Sequence, residues 1–427
     1  MLSSSFSRNL LAFFSLFILL SCSSPTKKND AKNEILKIDF NEAAYRDYFN
    51  ASEVISNIEY VALETSSECL LGEVVSACIS ENFILTFSNS NCLLFSRKGQ
   101  FIRRIGQRGN GPQDFKYDSY RVEIDEHSDR IYLLGLFEIC AYRISGQFVK
   151  RLDLFEFQKR GDTSTYPCNV THWKDNLFCG NMNLNSGKEP HRCIIFNLDG
   201  EIIKLFPSHI FFNGSNGVYS SFNSDANIYL YNDQLFFKER LCDTLFRITN
   251  ELDFVPEIIF DLPGYKMPTE VRGESLNINL PDFFIGNIQE VKDYLLLYGG
   301  KRGSGYLTSL YDKNKNQLIS IKSDPFFQRE MTIPLPDGRT HTRTTSLNGL
   351  RNDIDGGLPF SSSINCHIQN NNQLINIYQS YFLKEKLTDE HFKRYTIKDQ
   401  EAHKRLKKLL EDLDWDDNPV ITIATFK

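Results

Sequence analysis

The sequence predicts an all-β fold, a six-bladed β-propeller closed by its N- and C-terminal strands, with a helical insert near the C-terminus. Three observations carry this. The chain holds 34 Phe and 19 Tyr against 4 Met and 2 Trp, a balance that favours strands. A strand–turn–strand unit recurs: Cys92–Ile105, Cys140–Leu152 and Ile194–Phe206 align, with Gly99, Gly146 and Gly200 in their turns. Those glycines lie 47 and then 54 residues apart, and a period of about 40–50 residues with four strands per repeat marks a propeller.

Residues 1–21 read as a targeting segment. Arg8 supplies a positive n-region, and Leu10–Leu20 is an apolar stretch too short to span a bilayer comfortably. It ends Leu19-Leu20-Ser21-Cys22, which resembles a bacterial lipobox. Cleavage before Cys22 would leave its thiol to be diacylated, with palmitate-type chains, and several acyl chains hold a protein durably on a membrane. Residues 22–34 are then a polar, lipid-anchored tether without core-forming residues, and residues 35–427 form the propeller. The expected address is the cell envelope, on the periplasmic or exposed side of the outer membrane.

Along the body, Ile35–Phe49 shows no assignable pattern. Ile58–Thr65 alternates as a strand, followed by Gly72–Ser80, Asn82–Ser88 and the first hairpin. The second unit opens with Tyr120–Asp125 and Arg130–Leu134. Glycine in each turn supplies positive φ, so two-residue hairpin turns are expected. Weaker copies lie in Leu241–Leu262 and Leu310–Ile321, separated by loops at Lys159–Pro167, Ser208–Val218, Gly264–Asp282 and Asp337–Thr344. The last unit offers Ile364–Gln369, Gln373–Phe382 and Val420–Phe426. Ile58–Thr65 would complete it, so that no strand edge stays open at the junction. Leu406, Leu409, Leu410 and Leu413 sit at helical spacing, which places an amphipathic insert at about residues 388–413.

Several stretches resemble the six-bladed β-propeller lipoproteins of Gram-negative gut bacteria, whose fold is related to NHL-repeat proteins. They are Ile58–Thr65 with Gly72, the glycine-rich Phe101–Pro112, Cys242–Phe246, Asn352–Phe360 and Asn418–Val420. The polar region Asn213–Ala226 departs from that pattern. The resemblance implies a fold and a lipid anchor, and no reaction.

The formal net charge is −6, without a long basic run. This argues against nucleic acid as a partner. Beyond Cys22 there are nine cysteines and no CxxC. They read as small core residues; an exported address leaves disulfides open for some of them, and the odd count leaves at least one unpaired. Gly106–Pro112 could cradle an anion, but no GK[ST] follows, so the loop reads as a crossover between blades with Arg108 on it. Asp353 and Asp355 lie in an Asp-x-Asp-Gly turn. An EF-hand would need Glu where Ser362 stands, so a turn capped by aspartate is expected. Thr340–Arg343 reads as a solvated loop. The eight histidines show no HxH or HExxH, and no GxSxG occurs.

These residues favour a ligand- or protein-binding module over catalysis. Arg108, Asp353 and Asp355 are its binding candidates, the membrane reached through lipid is one partner, and a protein, peptide or carbohydrate is the other. No cofactor is expected. A metal-dependent lactonase- or lyase-like enzyme, with calcium or zinc in the central channel, is the alternative. A structural subunit of an envelope complex is the third reading. Fold alone does not choose among them.

Overall fold

The computed structural model describes residues 35–182, 187–212, 226–265, 283–301, 305–321, 328–334, 340–346, 349–361 and 366–427. Cys22 and the targeting segment lie outside the described residues. So do most of the departing polar region and much of the loops after Ser208, Gly264 and Asp337.

Strands bury both faces against neighbouring blades, which is why they read as unbroken apolar runs. In blade 1, Ile84, Leu93 and Phe95 face blade 6, whereas Leu85, Phe87, Cys92 and Leu94 face blade 2. Successive side chains alternate across the sheet, so each strand feeds two cores. The result is a ring of apolar clusters, one between each pair of adjacent blades, with a seventh under the helical insert.

Four strands run from the channel outward in blade 1 (Ser76–Ile79, Phe83–Ser88, Asn91–Ser96, Phe101–Arg104), blade 2 (Ser119–Asp125 to Phe148–Asp153) and blade 3 (Pro167–Lys174 to Ile202–Pro207). Blade 4 (Ala226–Tyr231 to Phe254–Asp261) and blade 5 (Phe283–Val291 to Gln317–Ile321) each carry a fifth strand outside these. That strand comes from the unassigned N-terminal stretch. Leu36–Asp39 pairs in parallel with Phe254–Asp261, and Ala44–Arg46 pairs in parallel with Gln317–Ile321. Ile55–Ala62 then becomes the outer strand of blade 6, antiparallel to Val420–Phe426. The N-terminal segment is thus a belt along the outer edges of three consecutive blades. Ile38, Phe40 and Phe49 on it are buried.

Blade 6 differs from expectation. Its sheet holds Gln373–Tyr378, Val420–Phe426 and Ile55–Ala62. The short strand Cys366–Ile368 is hydrogen-bonded instead in parallel to Ser76–Ile79 of blade 1. It covers that blade's inner edge and brings His367 into the channel. The strand starting at Gln373 ends at Tyr378, short of the expected Phe382. Helix Ser380–Lys386 follows, then Asp389–Phe392 and Gln400–Asp412. The insert therefore begins earlier than the leucine spacing suggested. Leu383, Leu387, Leu406 and Leu413 pack together beneath it against Val420. Asp399 caps the last helix by accepting from the amides of Glu401 and Ala402.

The hairpin turns are longer than two residues. Ser96 N–H donates to Gln100 O and Gly99 N–H to Ser96 O, with Gly99 at φ +86°. This is a three-residue loop closed by a left-handed residue and a bulge. Arg143–Gln147 and Asn197–Glu201 repeat it. Thr249–Asp253 repeats it with Leu252 at φ +64° where the others place glycine, which explains why this copy looked weak. Thr340–Ser346 is also a strand, paired antiparallel with Gln328–Pro334, and not a loop. Its run of β-branched threonines suits a strand despite its polarity.

Candidate functional site: the central channel

The first strands of the blades face the channel, and several carry a polar residue where a core residue would otherwise sit. A cavity of about 680 Å³ opens among blades 2 to 6. Its mouth lies on the face with the tight turns between first and second strands, where His127, Asp175, Asn232, Asp233 and Asn371 line it.

Deep in the cavity, blade 2 contributes Arg121 and Glu123 from one face of one strand. Arg121 Nε lies 2.6 Å from Glu123 Oε1, with both side chains largely buried. The two atoms face each other as a buried ion pair. Arg121 Nη1 also donates to Ile228 O of blade 4 at 3.1 Å. Burial raises the Glu123 carboxyl above its ordinary range, with the Arg121 charge and the His172 ring and backbone working against that rise.

His172 of blade 3 packs on Tyr132, with ring centroids 4.6 Å apart. Its Nε2 lies 3.0 Å from Asp175 O, so Nε2 carries a proton and donates to that carbonyl. His367 is pushed well below the usual histidine range, first by burial and then by the Arg121 charge. Asn227 of blade 4 donates to Asn287 Oδ1 of blade 5 at 2.8 Å. Tyr229 donates to Glu290 at 3.1 Å, and Lys313 also pairs with that carboxylate. Gln369 reaches back to donate to Ile124 O.

The residues singled out from sequence sit elsewhere. Arg108 is on the crossover between blades 1 and 2, half exposed, donating to Ser90 Oγ at 2.9 Å and pairing with Asp118. The glycine-rich loop around it satisfies its own backbone. Gly111 N–H donates to Asp114 Oδ2 at 2.8 Å and Gly109 N–H to Phe115 O. The carboxylate held by that loop is therefore the protein's own. Asp353 accepts from Ser52 N–H at 2.9 Å and Ser52 O–H at 2.6 Å, which ties the belt to the C-terminal part of the chain. Asp355 is buried and accepts from Tyr60 O–H, Asn352 Nδ2 and Gly357 N–H. None of the three lines the channel cavity.

A second polar cluster joins blades 3 and 4. Ligand atoms of His209, Glu239 and Cys242 lie within 4.8 Å of one another. Arg192 bridges two of them: its Nη1 is 2.8 Å from His209 Nδ1 and its Nη2 pairs with Glu239 Oε2, the oxygen to which Cys242 Sγ donates at 3.1 Å. The guanidinium also lies over the rings of Phe237, Phe246 and Phe254. A fixed cation thus holds the lone pairs that a metal would need, and the cluster reads as a buried ion-pair network. The cysteines from Cys69 to Cys366 are buried, and no two of them are joined by a disulfide; most of them fill the inter-blade cores.

Residues 35–425 match the family described as Domain of unknown function (DUF4934). The chain belongs to the DUF4934 family. No curated protein matches it. Among solved structures, this DUF4934 chain is similar to a candidate exported protein of Bacteroides fragilis. The similarity covers 92% of this chain and 100% of that one, at TM-score 0.62 and 17% identity, and it shows the fold alone. A member of the DUF4221 family from Bacteroides vulgatus aligns over 69% of this chain and 98% of its own, at TM-score 0.41 and 10% identity. Virginiamycin B lyase from Staphylococcus aureus aligns over 67% and 88%, at TM-score 0.37 and 13% identity. Scores this low carry no argument about chemistry.

Proposed function

We propose that this chain is a lipid-anchored binding module of the cell envelope that takes a small ligand in its central channel. The observation that carries the reading is the cavity of about 680 Å³, walled by polar side chains from the first strands of separate blades. That size and that convergence of polar groups on a rigid scaffold are what a ligand pocket requires. The anchor rests on the lipobox-like Leu19–Cys22 and the polar tether after it, and the exported character of the Bacteroides fragilis relative agrees with an envelope address. Binding is favoured over metal-dependent catalysis by electrostatics. The Arg121 charge acts on both Glu123 and His367, so a divalent cation between them would meet a buried guanidinium.

Two measurements test the proposal. Cys22→Ala should move the protein from the membrane fraction to the soluble fraction, and continued membrane retention would end the anchor claim. Hydrogen exchange should show added protection of Ala226–Tyr231 and Phe283–Val291 when fractionated envelope extract is supplied. Protection confined to other blade faces, or none from any fraction, would remove the channel as the site.

A further inference from the structure

We infer that the channel ligand is a small, neutral, polyhydroxylated molecule of the sugar or polyol class. This rests on the channel being the binding site. Buried polar atoms normally find partners, and those that do not call for water or a ligand. Among the described residues, two such atoms belong to side chains lining this one cavity and face no charged partner: Asn227 Oδ1 and Gln289 Oε1. Both are acceptors, and they come from blades 4 and 5. A ligand that satisfies them must present donors in two directions. Hydroxyl groups donate at every position, and accept as well.

Charge narrows the class further. At depth, Arg121 and Glu123 neutralise each other across 2.6 Å, so an ionic ligand gains no net attraction there and would give up its hydration. At the mouth, Asp125, Asp175 and Asp233 stand against Lys174. That rim repels anions, and it removes acidic and phosphorylated sugars from the class. The carboxamides suit the remaining ligands, because each offers a planar donor and acceptor pair that spans two neighbouring hydroxyls. Asn287 and Gln289 alternate on one inner strand and project to the same side. Asn227 is already fixed by Asn287 at 2.8 Å, so part of the array is set before a ligand arrives.

The test uses the purified full chain and saturation-transfer NMR with neutral probes: glucose, galactose, mannose, N-acetylglucosamine, their disaccharides and inositol. Glucuronate and glucose 6-phosphate serve as anionic counterparts. The expected result is saturable binding of at least one neutral probe, weakened about tenfold or more by Asn227→Ala and by Gln289→Ala. A thermal melt within a few degrees of the parent checks that those variants fold. An anionic counterpart binding as tightly as its neutral sugar overturns the inference, as does the absence of saturable binding by every neutral probe. If a non-carbohydrate fraction of envelope extract protects the inner strands from exchange, the channel reading stands and the sugar class falls. If no fraction protects them, both fall.

Discussion

Asp355→Asn should change how stability depends on pH in a direction opposite to the usual behaviour of a carboxylate. Burial is the largest influence on Asp355 and raises its carboxyl from 3.8 to about 6, against the hydrogen bonds from Gly357, Tyr60 and Asn352. Those three donors all reach Oδ1, whereas Oδ2 is buried without a partner. A proton on Oδ2 removes a buried charge without breaking any of the three bonds. Because the folded value lies above the unfolded one, the native state binds the extra proton. The stabilisation is complete below about pH 4 and is lost as pH rises through about 6. A shift of about two units corresponds to roughly 3 kcal/mol at most. Asparagine keeps the acceptor and carries no charge, so the variant should lack this slope. Urea unfolding between pH 4 and 7.5 would show the parent losing roughly 2–3 kcal/mol relative to Asp355→Asn across that window. Parallel curves for the two proteins would refute the reasoning. So would a parent that gains stability over the variant as pH rises.

Removing the guanidinium by Arg192→Ala should cost about 3–5 kcal/mol in chemical denaturation, because Glu239 is left buried and uncompensated. Gly146→Ala should cost about 1 kcal/mol for the left-handed backbone alone, since the nearest atoms to a new Cβ are 3.6 Å away. Gly99→Ala should cost clearly more by the same assay, because its Cβ would stand 2.2 Å from Ala62 O on the neighbouring blade. Deleting residues 36–46 strips the outer strands from blades 4 and 5 together with buried Ile38 and Phe40, and should lower unfolding stability by roughly 3–6 kcal/mol. The cysteines from Cys69 to Cys366 should resist a thiol reagent in the native protein and react together on unfolding, because all are buried.

The blades were legible because their chemistry is local. Cys92–Phe95 is buried at every position, and a run buried on both faces announces a strand without regard to its neighbours. The first two strands of the belt were not legible. They are four and three residues long, and Ala44–Arg46 is exposed throughout. Their pairing with residues more than 200 positions away leaves no periodic trace. The move of Cys366–Ile368 onto blade 1 was hidden for the same reason: strand propensity says nothing about which edge a strand joins. The candidate site lies away from the glycine-rich and Asp-Gly loops, where Asp114, Ser52 and Tyr60 engage the groups internally. A usable signal did exist. Arg121 and Glu123 flank Val122, and Asn287 and Gln289 flank Ile288, so polar residues alternate in the first strand of a repeat. Polar alternation in a strand buried on both sides points at the channel.

The belt also gives the ring a load path. Any pull on the segment before Leu36 enters at the rim of blade 4, not at the channel or on either face. The hydrogen bonds of Leu36–Asp39 would bear it first, then those of Ala44–Arg46, and only afterwards those of Ile55–Ala62. The first two strands can detach while blades 4 and 5 keep their own four. The third is the clasp of the ring. Tension on that segment would therefore be spent on two sacrificial strands before it reached the one that clasps the ring.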